Sequence, residues 1–549
     1  MARPLVVAAL LAAPAARGVA VPARPAGAAS AKSAYSRFEW TDHWFPVAWA
    51  RDLPLDEPTR VSVLDEDFCV VRRGAGRSPI ALRDACPHRL AALSEGRLTE
   101  QGLVQCSYHG WTFDGTSGEC VSIPQIVRSA PPAAPFVPPA RACADAVACQ
   151  IVDGLFWIHL TAKRAEDAPH PIPRVPEMSM AGYKHVGAVR DFPIDFSLLV
   201  ENVLDPDHGL FAHQAVGFDL YSASAERPLI VEVCGADGGA DGGAGALPTL
   251  TASVDAVPKL TGEESGAQPA PAPLRATTRF EPPCLIYMGR RDERGVSKFV
   301  TCFWLVPAGV GRTRFISAAV GAAPVMPPRW VQHVVLNNFL DEDTYLLATQ
   351  QPAVLGAELA AYQSAAAAGA AVRAGAAEAG AADGGAQRAE PSLAADVAPP
   401  LRRRLFAYAS PSEKLLVEVG KFLDNALPRM PRRYARPELF RAPCPPREVV
   451  LDRRAQHLAI CPDSQAVVRR CARARTLGLA GAAVLVLAKA AARSPMGARS
   501  ALLLGGLLAL AKAADGLSRE FGFRRDRQRH VRGLRKIQKV FPDAWLLGR

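Results

Sequence analysis

Two short cysteine–histidine pairs constrain this chain more than any other feature: Cys86-Pro87-His88 and, after 17 residues, Cys106-Ser107-Tyr108-His109. Each offers one sulfur and one nitrogen donor on a tight loop. A single Cys or His is ordinarily a packed or hydrogen-bonded residue, but four at this spacing point to a metal centre. Zinc accepts such a mixture, so ligand type alone leaves zinc open. A [2Fe–2S] centre of mixed ligation needs one Cys and one His from each of two loops, with both thiolates on one iron and both imidazoles on the other. The flanks suit it: Arg89, Leu93, Ser94 and Gly96, then Gly110, Trp111, Phe113 and Gly118. Glycines there let backbone amides approach sulfur. The remaining cysteines (Cys69, Cys120, Cys143, Cys149, Cys234, Cys284, Cys302, Cys444, Cys461 and Cys471) form no comparable cluster.

If that centre only carries electrons, chemistry needs a second site. Oxygen-activating iron is commonly held by two His and one carboxylate on one face, leaving the opposite face open. The stretch ENVLDPDHGLFAHQ supplies Asp205, His208 and His213. The two histidines are five apart, wider than one helical turn, and converge only if the helix is distorted near Gly209. A second carboxylate source is NNFLDEDTYLLATQQP, with Asp341, Glu342 and Asp343. Acids in such a helix are otherwise a solvated face or a cap.

The block CPHRLAALSEGRL…CSYHGWTFDGTSGECVSIPQ resembles the cluster motif of the Rieske non-haem iron oxygenases. The resemblance implies that Cys86 and Cys106 bind one iron of a [2Fe–2S] cluster and His88 and His109 the other. It assigns His208 and His213 as ligands of a mononuclear Fe(II), with Asp343 as the carboxylate and Asp341 as the fallback. Asp205 becomes the carboxylate that passes electrons from the cluster of a neighbouring subunit, in a homotrimer. Asn202 matches a commonly polar position one turn earlier. The implied fold class is α+β: an all-β Rieske domain, then an antiparallel-sheet helix-grip (START-like) catalytic domain, with a C-terminal helical membrane hairpin.

Two further stretches, FEWTDHWFPVAWARDL and REVVLDRRAQHLAIC, resemble the pheophorbide a oxygenase, chlorophyllide a oxygenase and Tic55-like branch. That implies a plastid protein, in thylakoid or inner envelope membrane, acting with O₂ on a chlorophyll-derived tetrapyrrole. Chlorophyllide a oxygenation, Rieske-type sterol desaturation and a Tic55-like redox-sensing role are the alternatives. The branch commonly carries a CxxC motif where this chain has Cys461-Pro462-Asp463-Ser464, and Cys471 is too far along to complete it, so a two-thiol switch lacks its second cysteine. No dinucleotide fingerprint joins a strand to a helix, so electrons must come from a ferredoxin or separate reductase.

Local patterns divide the chain. Residues 1–34 lack Asp and Glu and read as a targeting segment. Residues 38–160 hold short alternating runs, among them 61–65, 68–72, 80–84 and 151–160, the last turning at Asp153-Gly154. Residues 177–425 carry strand patterns at 186–192, 229–233, 250–257, 277–280, 297–304 and 313–319. A helical spacing covers 330–351. Low-complexity sequence fills 235–246, 263–273 and most of 364–399. A linker over 440–475 precedes two apolar runs, 477–488 and 500–511, which with small residues inside read as a close-packed membrane hairpin over 477–514. A basic tail, 515–549, suits an anionic membrane surface. Much of the excess behind the net charge of +11 lies in the last hundred residues and in the acid-free leader. With no zinc-finger spacing, Walker sequence or basic–aromatic interleaving, nucleic acid is the weakest partner.

Overall fold

The computed structural model describes residues 35, 38–129, 138–213, 231–234, 250–255, 275–292, 294–322, 326–378 and 401–522. The leader, both glycine- and proline-rich stretches before residue 275, and the basic tail beyond 522 lie outside them.

The first domain is built from short antiparallel strands: β1 (Trp44–Trp49), β2 (Thr59–Val63), β3 (Glu66–Val71), β4 (Ile80–Arg83), β5 (Arg97–Leu98), β6 (Val104–Gln105), β7 (Thr112–Phe113), β8 (Cys120–Ser122), β9 (Cys149–Val152) and β10 (Leu155–His159). They form three small sheets, ordered β1-β10-β9, β2-β3-β4 and β5-β6-β7-β8. The β9–β10 hairpin turns at Asp153 (φ 52°) and Gly154 (φ 79°). Two successive positive φ values make the primed turn whose twist matches its strands.

The second domain is a seven-stranded antiparallel sheet of β11 (Lys184–Phe192), β12 (Val231–Cys234), β13 (Leu250–Asp255), β14 (Arg275–Glu281), β15 (Leu285–Arg291), β16 (Ser297–Gly309) and β17 (Arg312–Gly321). Its order is β11-β17-β16-β15-β14-β13-β12, so β11 closes one end. Strand β15 escaped the sequence reading. Its residues Leu285 to Arg290 are all buried, so it shows none of the in–out alternation that marks a half-exposed strand. Helices α1 (Phe196–Leu204), α2 (His208–Phe211), α3 (Arg329–Glu378) and α4 (Lys414–Ala426) complete this domain. Asp195 caps α1 by accepting the Ser197 amide.

Helix α3 runs past the expected 351 and through Pro352 to Glu378. The alanine-rich start of the stretch read as low complexity is therefore helical, as alanine's high helix propensity allows. Nor is 440–475 a free connector: Arg453, His457 and Cys461 within it are buried. One continuous apolar core joins the two domains, from Phe38 and Trp40 to Phe280, Phe315 and Phe422. The Trp40 indole donates to the Ala426 carbonyl, seating the start of the first domain on α4.

Four buried arginines tie the helices down. Arg433 bonds both Asp195 and Glu358, and Arg402 bonds Glu201 and Asp424. Arg190 and Arg453 converge on Asp341 of α3 at 2.7 and 2.6 Å. Arg453 also reaches Asn338 and the Glu520 carbonyl.

Helices α5 (Pro462–Ala491) and α6 (Ala498–Arg519) are long and apolar enough to cross a membrane, and little of their apolar stretch is buried. They pack against each other at Gly478, where an added Cβ would lie 2.7 Å from the Leu507 carbonyl oxygen. The missing side chain permits that approach.

Removing one partner of a buried ion pair leaves the other charge uncompensated. Arg453→Met should therefore lower the stability of the full chain by about 3 kcal/mol, read as a fall in the denaturation midpoint. A midpoint equal to wild type would show that the cluster does not hold α3.

Candidate iron sites

The first pair of loops shares one construction. In each, the cysteine amide donates to the carbonyl five residues on, Cys86 to Ala91 and Cys106 to Trp111. Its carbonyl accepts from the amide four residues on, Leu90 or Gly110. That geometry needs a left-handed residue at the fourth position, and Leu90 (φ 59°) and Gly110 (φ 75°) supply it. Glycine does so without strain, whereas leucine carries a steric cost. The loops thus bring two buried thiols together with two imidazoles whose ring centroids are 4.5 Å apart. His88 stacks on Trp111 at 4.6 Å.

Burial pushes the Cys86 thiol up to about 11, against the amides of His88 and Arg89 that point at its sulfur; Cys106 beside it adds to the rise. Such amides favour thiolate once a metal compensates the charge. His88 Nδ1 is shielded from water and has no hydrogen-bond partner. A buried ring nitrogen left bare is costly unless something else takes its lone pair. Two thiols, two imidazoles and this unpartnered nitrogen fit a [2Fe–2S] cluster of mixed ligation.

The second site gathers residues from α1, α2 and α3. His208 Nε2 lies 3.2 Å from His213 Nε2, and Asp343 Oδ2 lies 3.6 and 3.4 Å from those two atoms. One ligand atom from each residue falls within 4.8 Å of the others. Helix α2 ends before His213, and this break lets side chains five apart converge. His208 Nδ1 is 2.5 Å from the Asp205 carbonyl. A carbonyl only accepts, so Nδ1 carries the hydrogen and Nε2 presents its lone pair to the site. Asn202 donates to Asp343 Oδ2 at 3.2 Å, orienting the carboxylate. Asp205 is mostly buried, which raises its carboxyl; its Oδ1 accepts the Asp207 amide.

Burial alone would depress His213, but Asp343 and Glu342 overcome it and hold it at about 9. Asp343 is itself buried, yet His213, His208 and Asn202 keep it below the usual carboxylate range. Two imidazoles and an ionised carboxylate converging on one face fit a mononuclear iron. The other two acids of α3 are not a solvated face. Asp341 is locked between Arg190 and Arg453, and Glu342 lies 3.4 Å from His213 Nδ1. That outer partner for His213 escaped the sequence reading, although its place beside Asp343 was the available signal. A cavity of about 460 Å³ opens beside the site, walled by Phe192, Met288, Phe303, Phe315 and Phe339, with Thr301, Ser317 and Gln332 as polar groups. Among the described residues its lining holds no Lys or Arg.

A small all-β domain with paired Cys–His loops, followed by a two-His, one-carboxylate site in a seven-stranded sheet domain, is the arrangement that the sequence resemblance implies. Comparisons agree: residues 43–138 match the Rieske [2Fe-2S] domain and residues 280–358 match pheophorbide a oxygenase. The chain is 32% identical over 349 residues to pheophorbide a oxygenase of Oryza sativa subsp. japonica, covering 60% of each. It is 27% identical over 325 residues to the protein TIC 55 of Arabidopsis thaliana, covering 58% of this chain and 54% of that one. Chlorophyllide a oxygenase of Arabidopsis thaliana matches over 178 residues at 30% identity, 31% of this chain and 28% of that one. These relatives are chloroplastic, and the chain spans 60% or less of their length. Among solved structures, dicamba monooxygenase bound to dicamba aligns with a TM-score of 0.41 at 22% identity, over 55% of this chain and 82% of that one. The chain carries a Rieske domain and a pheophorbide a oxygenase domain.

His208→Ala should abolish iron at the second site while leaving the cluster's electron paramagnetic resonance signal at wild-type strength. Joint loss of both would count against two separate centres.

Proposed function

We propose that the protein is a ferredoxin-dependent monooxygenase acting on a chlorophyll-derived tetrapyrrole, in the manner of pheophorbide a oxygenase. The observation that carries this reading is the apolar cavity of about 460 Å³ opening onto His208, His213 and Asp343. That volume lies within the usual range for sites that bury most of a small organic ligand. Aromatic and aliphatic walls suit a flat macrocycle. Without Lys or Arg in the described lining, an acidic substituent is best left at the water-facing edge.

In this reading Cys86, Cys106, His88 and His109 hold the cluster, and His208, His213 and Asp343 hold the mononuclear iron. That iron, reduced, supplies activation of O₂. The chain's part is to position and protect. The Asp205 carbonyl and Glu342 orient the two imidazoles, Asn202 orients Asp343, and the phenylalanine walls exclude water from the reacting edge of the substrate. Asp205 would pass electrons from the cluster of a neighbouring subunit in a homotrimer. Helices α5 and α6 anchor the enzyme in a plastid membrane, thylakoid or inner envelope, where an apolar pigment is available.

The test is anaerobic incubation of the reduced protein with pheophorbide a, chlorophyllide a and a sterol, followed by O₂ and product mass analysis. Ring-opened or hydroxylated pheophorbide is expected. A formyl product from chlorophyllide would favour the second reading, which the shorter match to chlorophyllide a oxygenase supports. No oxygenated product from a fully iron-loaded sample would end both and leave a redox-sensing role. Asp205→Asn should keep both metals and slow reduction of the second iron by the cluster roughly 10- to 100-fold. An unchanged single-turnover rate would remove Asp205 from the electron path.

A further inference from the structure

Outside the two iron sites, three more metal-ligating side chains converge: His333 on α3, and His457 and Cys461 in the segment leading into α5. His333 and Cys461 are fully buried, and His457 is 1% exposed. One ligand atom from each lies within 4.8 Å of the others.

The hydrogen bonding around them fixes which atoms face inward. His333 Nε2 is 3.0 Å from the Gly187 carbonyl, and His457 Nδ1 is 2.6 Å from the Val189 carbonyl. Gly187 and Val189 are two apart on β11, the end strand of the sheet, so their carbonyls project to the same side. Carbonyls only accept, so both of those ring nitrogens carry hydrogen. The opposite nitrogens, His333 Nδ1 and His457 Nε2, are left with lone pairs aimed into one small volume. Burial keeps both rings neutral, with His333 pushed down to about 4 and His457 to about 3.

Ser464 Oγ sits between them, 3.1 Å from His333 Nδ1 and 2.9 Å from His457 Nε2. A hydroxyl has one hydrogen and can satisfy one lone pair. Cys461 Sγ lies 3.4 Å from His333 Nδ1. An arrangement of two pinned imidazoles, each backed by a carbonyl, with a thiol and a hydroxyl in the middle is that of a closed metal site with its outer partners in place.

We propose that His333, His457 and Cys461 hold a structural zinc ion, with the Ser464 hydroxyl or a water as the fourth ligand. Zn–N and Zn–S bonds of about 2.0–2.1 and 2.3 Å set tetrahedral ligands roughly 3.3–3.7 Å apart. The Cys461–His333 separation already falls there. Binding is ligand exchange: the Cys461 thiol proton leaves to solvent, the sulfur lone pair forms the Zn–S bond, and nothing is oxidised or reduced. Two features favour the thiolate. Cys461 is the N-cap of α5, at the positive end of that helix. Burial raises the thiol, and the hydroxyl and amide of Ser464, with Arg329 more weakly, oppose that rise while Asp52 adds to it. The Arg329 charge is otherwise met by Asp52 and Asp463. The ion would join β11, α3 and the start of α5. Gly187 and His333 also line the catalytic cavity, so it would hold the apolar hairpin in register with that cavity.

Cobalt(II) is the probe, because zinc is spectroscopically silent. The full-length protein with its cluster intact, treated with a mild chelator, should bind cobalt with a thiolate-to-cobalt charge-transfer band that saturates at one equivalent. Zinc should displace it. Cys461→Ser should lose the band while keeping the cluster's paramagnetic signal, and His457→Gln should weaken cobalt binding roughly 10- to 100-fold. The absence of a thiolate band in wild type, or a band unchanged in Cys461→Ser, would overturn the assignment and leave a hydrogen-bonded cluster only. Because neither readout requires turnover, failure here is distinct from failure of the oxygenase reading.

Discussion

The buried pairing of Asp341 with Arg190 and Arg453 fixes which side of helix α3 meets the two histidines. Asp341 and Asp343 are two apart on one helix, about 200° around its axis. One of them can face the histidines only if the other faces away. Two guanidiniums, one from the edge strand β11 and one from the segment before α5, capture Asp341. Helix α3 is thereby rotated so that Asp343 meets His208 and His213. Replacing such a cluster with apolar groups could be neutral for stability, but rotational register would then rest on less directional packing.

The iron–sulfur site is built differently. Its ligands come from two loops of one design, closed by the same pair of backbone bonds and the same left-handed fourth residue. The histidine falls at the second position after Cys86 and the third after Cys106. Within these matched loops the two imidazoles lie against each other and the two thiols against each other. Tight local loops tolerate little motion, as an electron carrier requires. The mononuclear site draws on three helices and the carbonyl of Asp205, and it depends on the whole domain.

Edge strand β11 links the sites described. Arg190 holds α3, Gly187 and Val189 hold His333 and His457, and Gly187 lines the cavity. A sheet edge invites unwanted pairing unless its groups are used. Here they are taken by side chains from α3 and from the segment that enters the apolar hairpin. The C-terminal region is therefore integral to the catalytic domain.

The sequence by itself determined the ligand loops, the hairpin at Asp153-Gly154, most of the strands and both apolar helices. Each of these is encoded over a few neighbouring residues, by a turn preference, a period or a fixed spacing. It also brought Asp205, His208, His213 and Asp343 to notice, the last through family resemblance. It did not reveal β15, whose uniform burial erases alternation, or the use of Glu342 and Asp341, which differ only in the direction they face. Nor did it separate His333, His457 and Cys461 from ordinary buried residues, because they lie up to 128 residues apart. Only the tertiary structure brings such groups together, since burial and convergence are properties of the packed chain.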